Sequence, residues 1–270
     1  MKYIKKYKSI FSIRKGLVKN SGRNNIGKIT TRHHGGGHKQ AFRTLDWVRS
    51  QSNLTIVGFE YDPIRSAPIL KLYNNNKDKD QYSYIIAPKN VNIFQKLNKY
   101  SVSDSISNNL LKPGDAACIS FFEVGDFLHS IEAFPGEGSI FGRASGSYCQ
   151  IISINQITSN YFKDKTEAKF AIVRLPSGNK RQINRQAQAT LGIVYQDTET
   201  KQNIIKAGRI RWLGWRPSVR GVAINPVDHP HGGGQGKTSG GRPSVTFKSW
   251  PTKGQPTRSS KRKNKFILKS

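Results

Sequence analysis

Between residues 51 and 205 the hydrophobic positions fall in short runs rich in β-branched and aromatic residues: Leu54–Tyr61, Ile69–Tyr73, Tyr82–Ile86, Cys118–Glu123, Phe127–Phe134, Tyr148–Ile154 and Lys169–Leu175. Turn-forming clusters separate them, at Asp62-Pro63, Asn74-Asn75-Asn76, Lys112-Pro113-Gly114-Asp115, Pro135-Gly136 and Pro176-Ser177-Gly178-Asn179. Runs of this length and spacing predict small β-barrels or a sandwich. No long amphipathic helix is predicted; Gln186–Gly192 is expected to form a helical turn. The polar stretch Gln95–Ser107 is expected to be loop, and Asn155–Thr166 an extended hairpin loop. These 155 residues suit two barrels of roughly 60–75 residues each, with the division expected near Pro113-Gly114-Asp115 and Gly125-Asp126. No apolar run approaches the ~18 residues of a membrane span.

Outside this block the periodicity stops. Residues 20–44 and 217–262 are rich in Gly, Arg, Lys, His and Pro, with few apolar runs. Such segments bury too little surface to offset their ordering entropy, so they are expected to be extended or disordered until a partner orders them. Charge follows the same division. The 270 residues carry 45 Lys and Arg against 16 Asp and Glu, a net +29. Residues 1–50 hold 13 Lys/Arg and one acid (+12), residues 51–205 hold 17 and 14 (+3), and residues 206–270 hold 15 and one (+14). The body is thus nearly neutral and the ends supply the excess. A polyanionic partner is implied, and an ordinary metabolic enzyme is disfavoured, because uncompensated charge opposes compaction. The first 19 residues are basic and acid-free, the composition of a mitochondrial transit peptide; they are expected to be a retained basic arm. Cys118 and Cys149 have no CxxC partner and lie in apolar runs, which predicts buried free thiols.

Five of the six histidines sit in two glycine clusters, His33-His34-Gly35-Gly36-Gly37-His38 and Asp228-His229-Pro230-His231-Gly232-Gly233-Gly234. Four chemistries compete for them. A Walker A loop fails: Gly236-Lys237-Thr238 ends correctly but His231 stands at the first glycine, and Gly22–Lys28 is followed by Ile29 where a hydroxyl is needed. An esterase oxyanion hole lacks its G-x-S-x-G elbow. A metal site lacks thiols and carboxylates beside the imidazoles. Polyanion binding fits: glycine lets main chain approach phosphate or sugar, Arg neutralises phosphate, and His and Trp stack on splayed bases. Trp212, Trp215 and Trp250 interleave with Arg209, Arg211, Arg216, Lys248 and Lys253, the pattern expected for structured RNA. Without a helix-turn-helix, zinc finger or basic zipper, DNA is less favoured. Asp228-His229 also reads as an acid–base dyad, although the flanking prolines favour a structural turn.

Several strings, in order over nearly the whole chain, carry a family resemblance: Gly22-Arg23-Asn24-Asn25, Arg32–Gln40, Glu60-Tyr61-Asp62-Pro63, Ile86-Ala87-Pro88, Lys112-Pro113-Gly114, Arg185–Gly192, Gly208–Gly221, Asn225–Gly234 and Lys261–Leu268. The chain resembles the family of the universal, bacterial-type large-subunit ribosomal protein two. The resemblance implies an all-β body, an OB-fold barrel followed by an SH3-like barrel, with extended basic N- and C-terminal segments. The expected division is 1–50 extension, 51–124 OB-fold, 125–205 SH3-like barrel and 206–270 rRNA-penetrating extension. The implied role is a non-enzymatic structural constituent of the large subunit that binds rRNA near the peptidyl-transferase region and supports assembly, subunit association and translation; direct catalysis by Asp228 and His229 is the rival.

Contacts to rRNA are expected in the N-terminal segment from Arg23, Lys28, Arg32, His33, His34, His38, Lys39, Arg43 and Arg49. On the second barrel they are expected from Lys180 and Arg181. In the C-terminal segment they are expected from Lys206, Arg209, Arg211, Trp212, Trp215, Arg216, Arg220, Asn225, His229, His231, Lys237, Arg242, Lys253, Arg258, Lys261 and Arg262, with Asp228 and His229 nearest the peptidyl-transferase region. Other large-subunit proteins and the small subunit are implied partners. No cofactor, metal, membrane or small-molecule substrate is expected. Segment Thr238–Pro243 and the Lys/Asn/Ile-rich composition resemble mitochondrial members, so a mitochondrial ribosome is expected ahead of a bacterial or plastid one. Gln235 and Val245–Trp250 depart from the usual pattern.

Overall fold

The computed structural model describes residues 13–49, 51–75, 82–100, 111–154, 170–196, 204–236, 240–257 and 266–268. The chain forms two compact units: unit 1 holds 1–17, 39–202 and 265–270, and unit 2 holds 18–38 and 203–264.

Unit 1 is built on two principal antiparallel sheets. After a short ribbon of β1 (Arg14–Gly16) and β2 (Ala41–Arg43), the first sheet runs through β3 (Leu54–Glu60), β4 (Ile69–Asn74), β5 (Tyr82–Ile86) and β6 (Lys96–Leu97), in the order β5-β4-β3-β6. Burial alternates strictly along β3, so Leu54, Ile56 and Glu60 face inward while Thr55, Val57 and Phe59 are half-buried. A bulge between Ile56 and Gly58 bends the strand. Glu60 ends the buried face, accepting the Tyr84 hydroxyl (2.9 Å) with the Arg43 guanidinium at 3.9 Å. Burial pushes its carboxyl pKa up, opposed by the Tyr84 hydrogen bond, Lys71 and Arg43.

The second sheet comprises β7 (Ala116–Cys118), β8 (Phe127–His129), β11 (Cys149–Ser153), β12 (Phe170–Arg174), β13 (Lys180–Asn184), β14 (Gln188–Leu191) and β15 (Ile267–Leu268); β9 (Ile131–Glu132) and β10 (Ser139–Phe141) form a separate pair. Its core gathers Ile119, Phe122, Leu128, Ile131, Cys149, Ile151, Val173 and Ile183. Both cysteines are free and buried, as expected, and burial raises Cys118 and pushes Cys149 up to about 12.

Pairing overrode local reading at several points. Cys118–Glu123 is not one strand: Ile119–Phe121 is a 3-10 turn. Phe127–Phe134 breaks at Ser130, whose φ is 51°. Gln186–Gly192 forms no helical turn; Gln188–Leu191 is β14, which bonds β7 on one side and β8 on the other, with Ala189 buried in it. Strand β13 looks polar in sequence, yet Arg181 and Gln182 are buried in it. Within the polar stretch from Gln95, Leu97 is fully buried and pairs with Leu54. Asn155–Thr166 lies outside the described residues.

The segment boundaries also differ from the charge blocks. Strand β7 lies ahead of Gly125 but belongs to the second sheet. Leu45, within the expected N-terminal extension, packs with Ile69, Tyr84, Ile86 and Val194. Strand β15, at the far C-terminus, joins β13, because Phe266-Ile267-Leu268 is the one apolar run there and finds a sheet edge.

Candidate nucleic-acid interface

Unit 2 is held together by its main chain. Val245 is its single buried residue among those described. The loop from Gly22 closes on Asn24, whose Oδ1 accepts from the Ile26 and Lys28 amides (3.1 and 2.9 Å), while Thr30 and Thr31 amides donate to the Gly22 carbonyl. These amides are spent inside an Asx-type turn and do not form a phosphate loop. Arg23 and Lys28 remain exposed on it.

The first His-Gly-Gly-Gly string lies against the chain leaving α1 (Ala207–Trp212). Gly35 donates to the Gly214 carbonyl, His38 to the Trp212 carbonyl and Arg216 to the His33 carbonyl. The His34 ring stacks on Trp215 with centroids 4.4 Å apart. Gly37 is required by space as well as by φ: a Cβ there would sit 2.7 Å from the Gly214 nitrogen at φ +81°. Helix α1 buries nothing, and Arg209 and Arg211 occupy its last turn, where the helix dipole favours cations. Arg211 donates to the Trp215 carbonyl and Lys206 sits over the Trp212 ring. Trp212 and Trp215 are more than half and half exposed, at 57% and 50%.

The second string folds into a turn in which the Asn225 carbonyl accepts from the Asp228 and His229 amides. The His231 amide donates to His229 Nδ1 at 3.0 Å, and the Val245 amide to His231 Nε2 at 3.4 Å. The His229 ring thus acts as an acceptor for main chain, while His231 Nε2 also lies 3.4 Å from the Pro243 carbonyl. His229 packs against Gly221, where a Cβ would meet its ring at 2.5 Å, and a Cβ on Gly232 would meet the Asn225 carbonyl at 2.4 Å. Gly37, Gly221 and Gly232 let the unit pack on itself. No hydrogen bond or ion pair joins Asp228 to His229 among the described residues, and His229 Nδ1 accepts the His231 amide, so it is not an N–H donor to an orienting carboxylate. Nor do three or more His, Cys, Asp or Glu gather as a metal-binding group among the described residues.

Elsewhere the expected contact residues divide. In unit 2, Arg23, Lys28, Arg32, Lys206, Arg211, Arg216, Arg220, Arg242 and Lys253 are exposed, and no ion pair ties a described cation of the unit to an acid. In unit 1, Lys39 and Lys180 are exposed. Arg49 is 6% exposed, and both terminal nitrogens donate to the Gly114 carbonyl (3.3 and 3.2 Å). Burial lowers its pKa, against the pull of Asp46 and Asp115. Arg181 is 8% exposed with its guanidinium over Phe141 (4.8 Å) and Phe266 (5.6 Å). Arg43 turns toward Glu60. These three serve the body's own packing. Lys237, Arg258, Lys261 and Arg262 lie outside the described residues. The sixth histidine, His129, carried no motif and is buried in the second sheet; burial, with the Arg49 charge adding to it, drives its pKa down to about 3.

Residues 11–98 match the family model "Ribosomal Proteins L2, RNA binding N-terminal domain", and residues 112–249 match "Ribosomal Proteins L2, C-terminal domain". The chain is 43% identical over 258 residues to the large ribosomal subunit protein uL2m of Reclinomonas americana, covering 94% of this chain and 85% of that one. It is 40% identical over 260 residues to uL2 of Rickettsia canadensis (96% and 88% covered) and 40% over 267 residues to uL2 of Parvibaculum lavamentivorans (98% and 88%). The fold class is the expected one, an OB-fold followed by an SH3-like domain in a nearly all-β chain. The chain belongs to the L2 family of ribosomal proteins, structural rRNA-binding constituents of the large ribosomal subunit.

Proposed function

We propose that unit 2 is the part of this chain that penetrates rRNA, and that the two barrels dock and hold it. The observation that carries this reading is the contrast in cation use: Arg23, Arg32, Arg211, Arg216, Arg220 and Arg242 of unit 2 are exposed with no acidic partner among the described residues, whereas Arg43, Arg49 and Arg181 are consumed by the body. The stacked His34–Trp215 pair and exposed Trp212 add aromatic faces for unstacked bases. Asp228 and His229 organise RNA near the peptidyl-transferase region without a catalytic role; the engagement of His229 Nδ1 by main chain supports this. Other large-subunit proteins and the small subunit are the further partners. A mitochondrial ribosome is the proposed location, supported by the similarity to mitochondrial uL2m.

Salt dependence tests the reading, since each neutralised phosphate releases counterions. Binding of the full chain to transcribed large-subunit rRNA should weaken by about a thousandfold or more between roughly 50 and 200 mM salt. Replacing Arg23, Arg216, Arg220 and Arg242 by Gln should make the log–log slope shallower by about 3. Affinity that stays flat with salt would sink the proposal.

A further inference from the structure

Unit 2 contains a cleft of about 860 Å³ whose walls come from the loop 24–33, from 219–229 and from 246–248. One side is apolar: Val219 and Phe247 line it and remain 67% and 43% exposed. Apolar surface of this kind in a cleft implies an occupant. The rim is cationic, with Lys28, Arg32 and Lys248 against the single acid Asp228. The Arg32 guanidinium lies 3.8 Å from the centroid of the Phe247 ring, so a planar cation and a planar ring already form a stack that a further ring can extend. His229 also lines the cleft. Because its Nδ1 accepts the His231 amide, its neutral ring carries the proton on Nε2 and offers a donor there.

We propose that this cleft receives one unstacked nucleotide of RNA. Its base stacks on the Arg32–Phe247 pair, its phosphates meet Lys28 and Lys248, and a base or sugar oxygen accepts from His229 Nε2. The dimensions suit a nucleotide, since small-molecule sites span roughly 300–1,000 Å³. An acidic peptide would satisfy the rim but leave the planar stack unused. The proposal rests on the RNA-binding role of unit 2 and adds that one base is read by extrusion, a mode that phosphate contacts alone do not require.

The test compares two RNA duplexes with the full chain, one fully paired and one carrying a single bulged adenosine. The bulged duplex should bind roughly tenfold tighter, the scale of one base stacked on an aromatic side chain. Phe247→Ala should abolish that preference while leaving the paired duplex bound as before, and Phe247→Trp should restore it. Equal affinity of the unsubstituted chain for both duplexes would overturn the extruded-base proposal while the RNA-binding role stands. Failure to bind either duplex would defeat the role itself. A glutamate-rich peptide containing phenylalanine that displaced the bulged duplex at equal concentration would overturn the proposal in favour of an acidic protein segment.

Discussion

The two units use the same residue types in opposite ways. In unit 1, Arg49 and Arg181 are buried, one bonded to the Gly114 carbonyl and one packed over Phe141 and Phe266, and His129 is sealed in the sheet. In unit 2, Arg23, Arg32, Arg211, Arg216, Arg220 and Arg242 are exposed, and His229 spends Nδ1 as a main-chain acceptor. The difference follows from what holds each unit together. Unit 1 has an apolar core, worth roughly 1.5–3 kcal/mol per fully buried large side chain, and it tolerates a few buried polar groups. Unit 2 buries one residue among those described, so turns, close glycine contacts and an imidazole acceptor replace a core. A unit built that way leaves its cations for a polyanion.

This contrast can be broken most severely at His129. Its folded pKa is depressed to about 3 from 6.5, so below pH 6.5 the unfolded chain binds a proton that the folded chain refuses. The stability it contributes is therefore present above pH 6.5 and lost as pH falls toward 3, at up to about 1.4 kcal/mol per pH unit. Urea midpoints of the full chain between pH 7 and pH 4 should fall accordingly, and His129→Gln should flatten the decline. Glu60 and Asp115, both raised mainly by burial, act in the opposite direction and leave a residual slope. A wild-type midpoint independent of pH would remove the case for a buried neutral imidazole.

Arg49 sharpens the comparison next. Arg49→Met should cost about 3 kcal/mol in a denaturant melt, because it strands the Gly114 carbonyl and the neighbouring Asp115. The same variant should leave the salt slope of RNA binding unchanged. A shallower slope would mean that Arg49 reaches phosphate after all.

The smallest effect belongs to unit 2. Gly36 and Gly37 both have positive φ, but only Gly37 faces backbone where its Cβ would stand. Gly36→Ala should cost about 1 kcal/mol of local stability, and Gly37→Ala measurably more. Hydrogen exchange at the His38 amide, which donates to the Trp212 carbonyl, reads the difference. Equal losses would show that the close approach to Gly214 contributes nothing.

Much of the body was legible in sequence. The runs Leu54–Tyr61, Ile69–Tyr73 and Tyr82–Ile86 hold strands because they are short, rich in β-branched and aromatic residues and bounded by turn formers; burial alternates at period two only along β3. Strands β13 and β14 were not legible, since Lys180-Arg181-Gln182 and Gln186-Ala187-Gln188-Ala189 carry no strand pattern. They are strands because neighbours on both sides supply hydrogen-bond partners. In the candidate interface, the first His-Gly-Gly-Gly string and the tryptophans that sequence singles out lie together, His34 on Trp215. The Arg32–Phe247 stack joins residues 215 positions apart, and no spacing rule links them.

The sequence by itself determined the β-rich body, the location of the excess charge and the family, because each depends on composition, local periodicity or an ordered string. Tertiary structure alone decided which cations are available. Arg49 and Arg216 are the same residue in equally basic segments, yet one is buried against a carbonyl and the other exposed. Availability depends on what the surrounding chain packs over a side chain, and that is a long-range property.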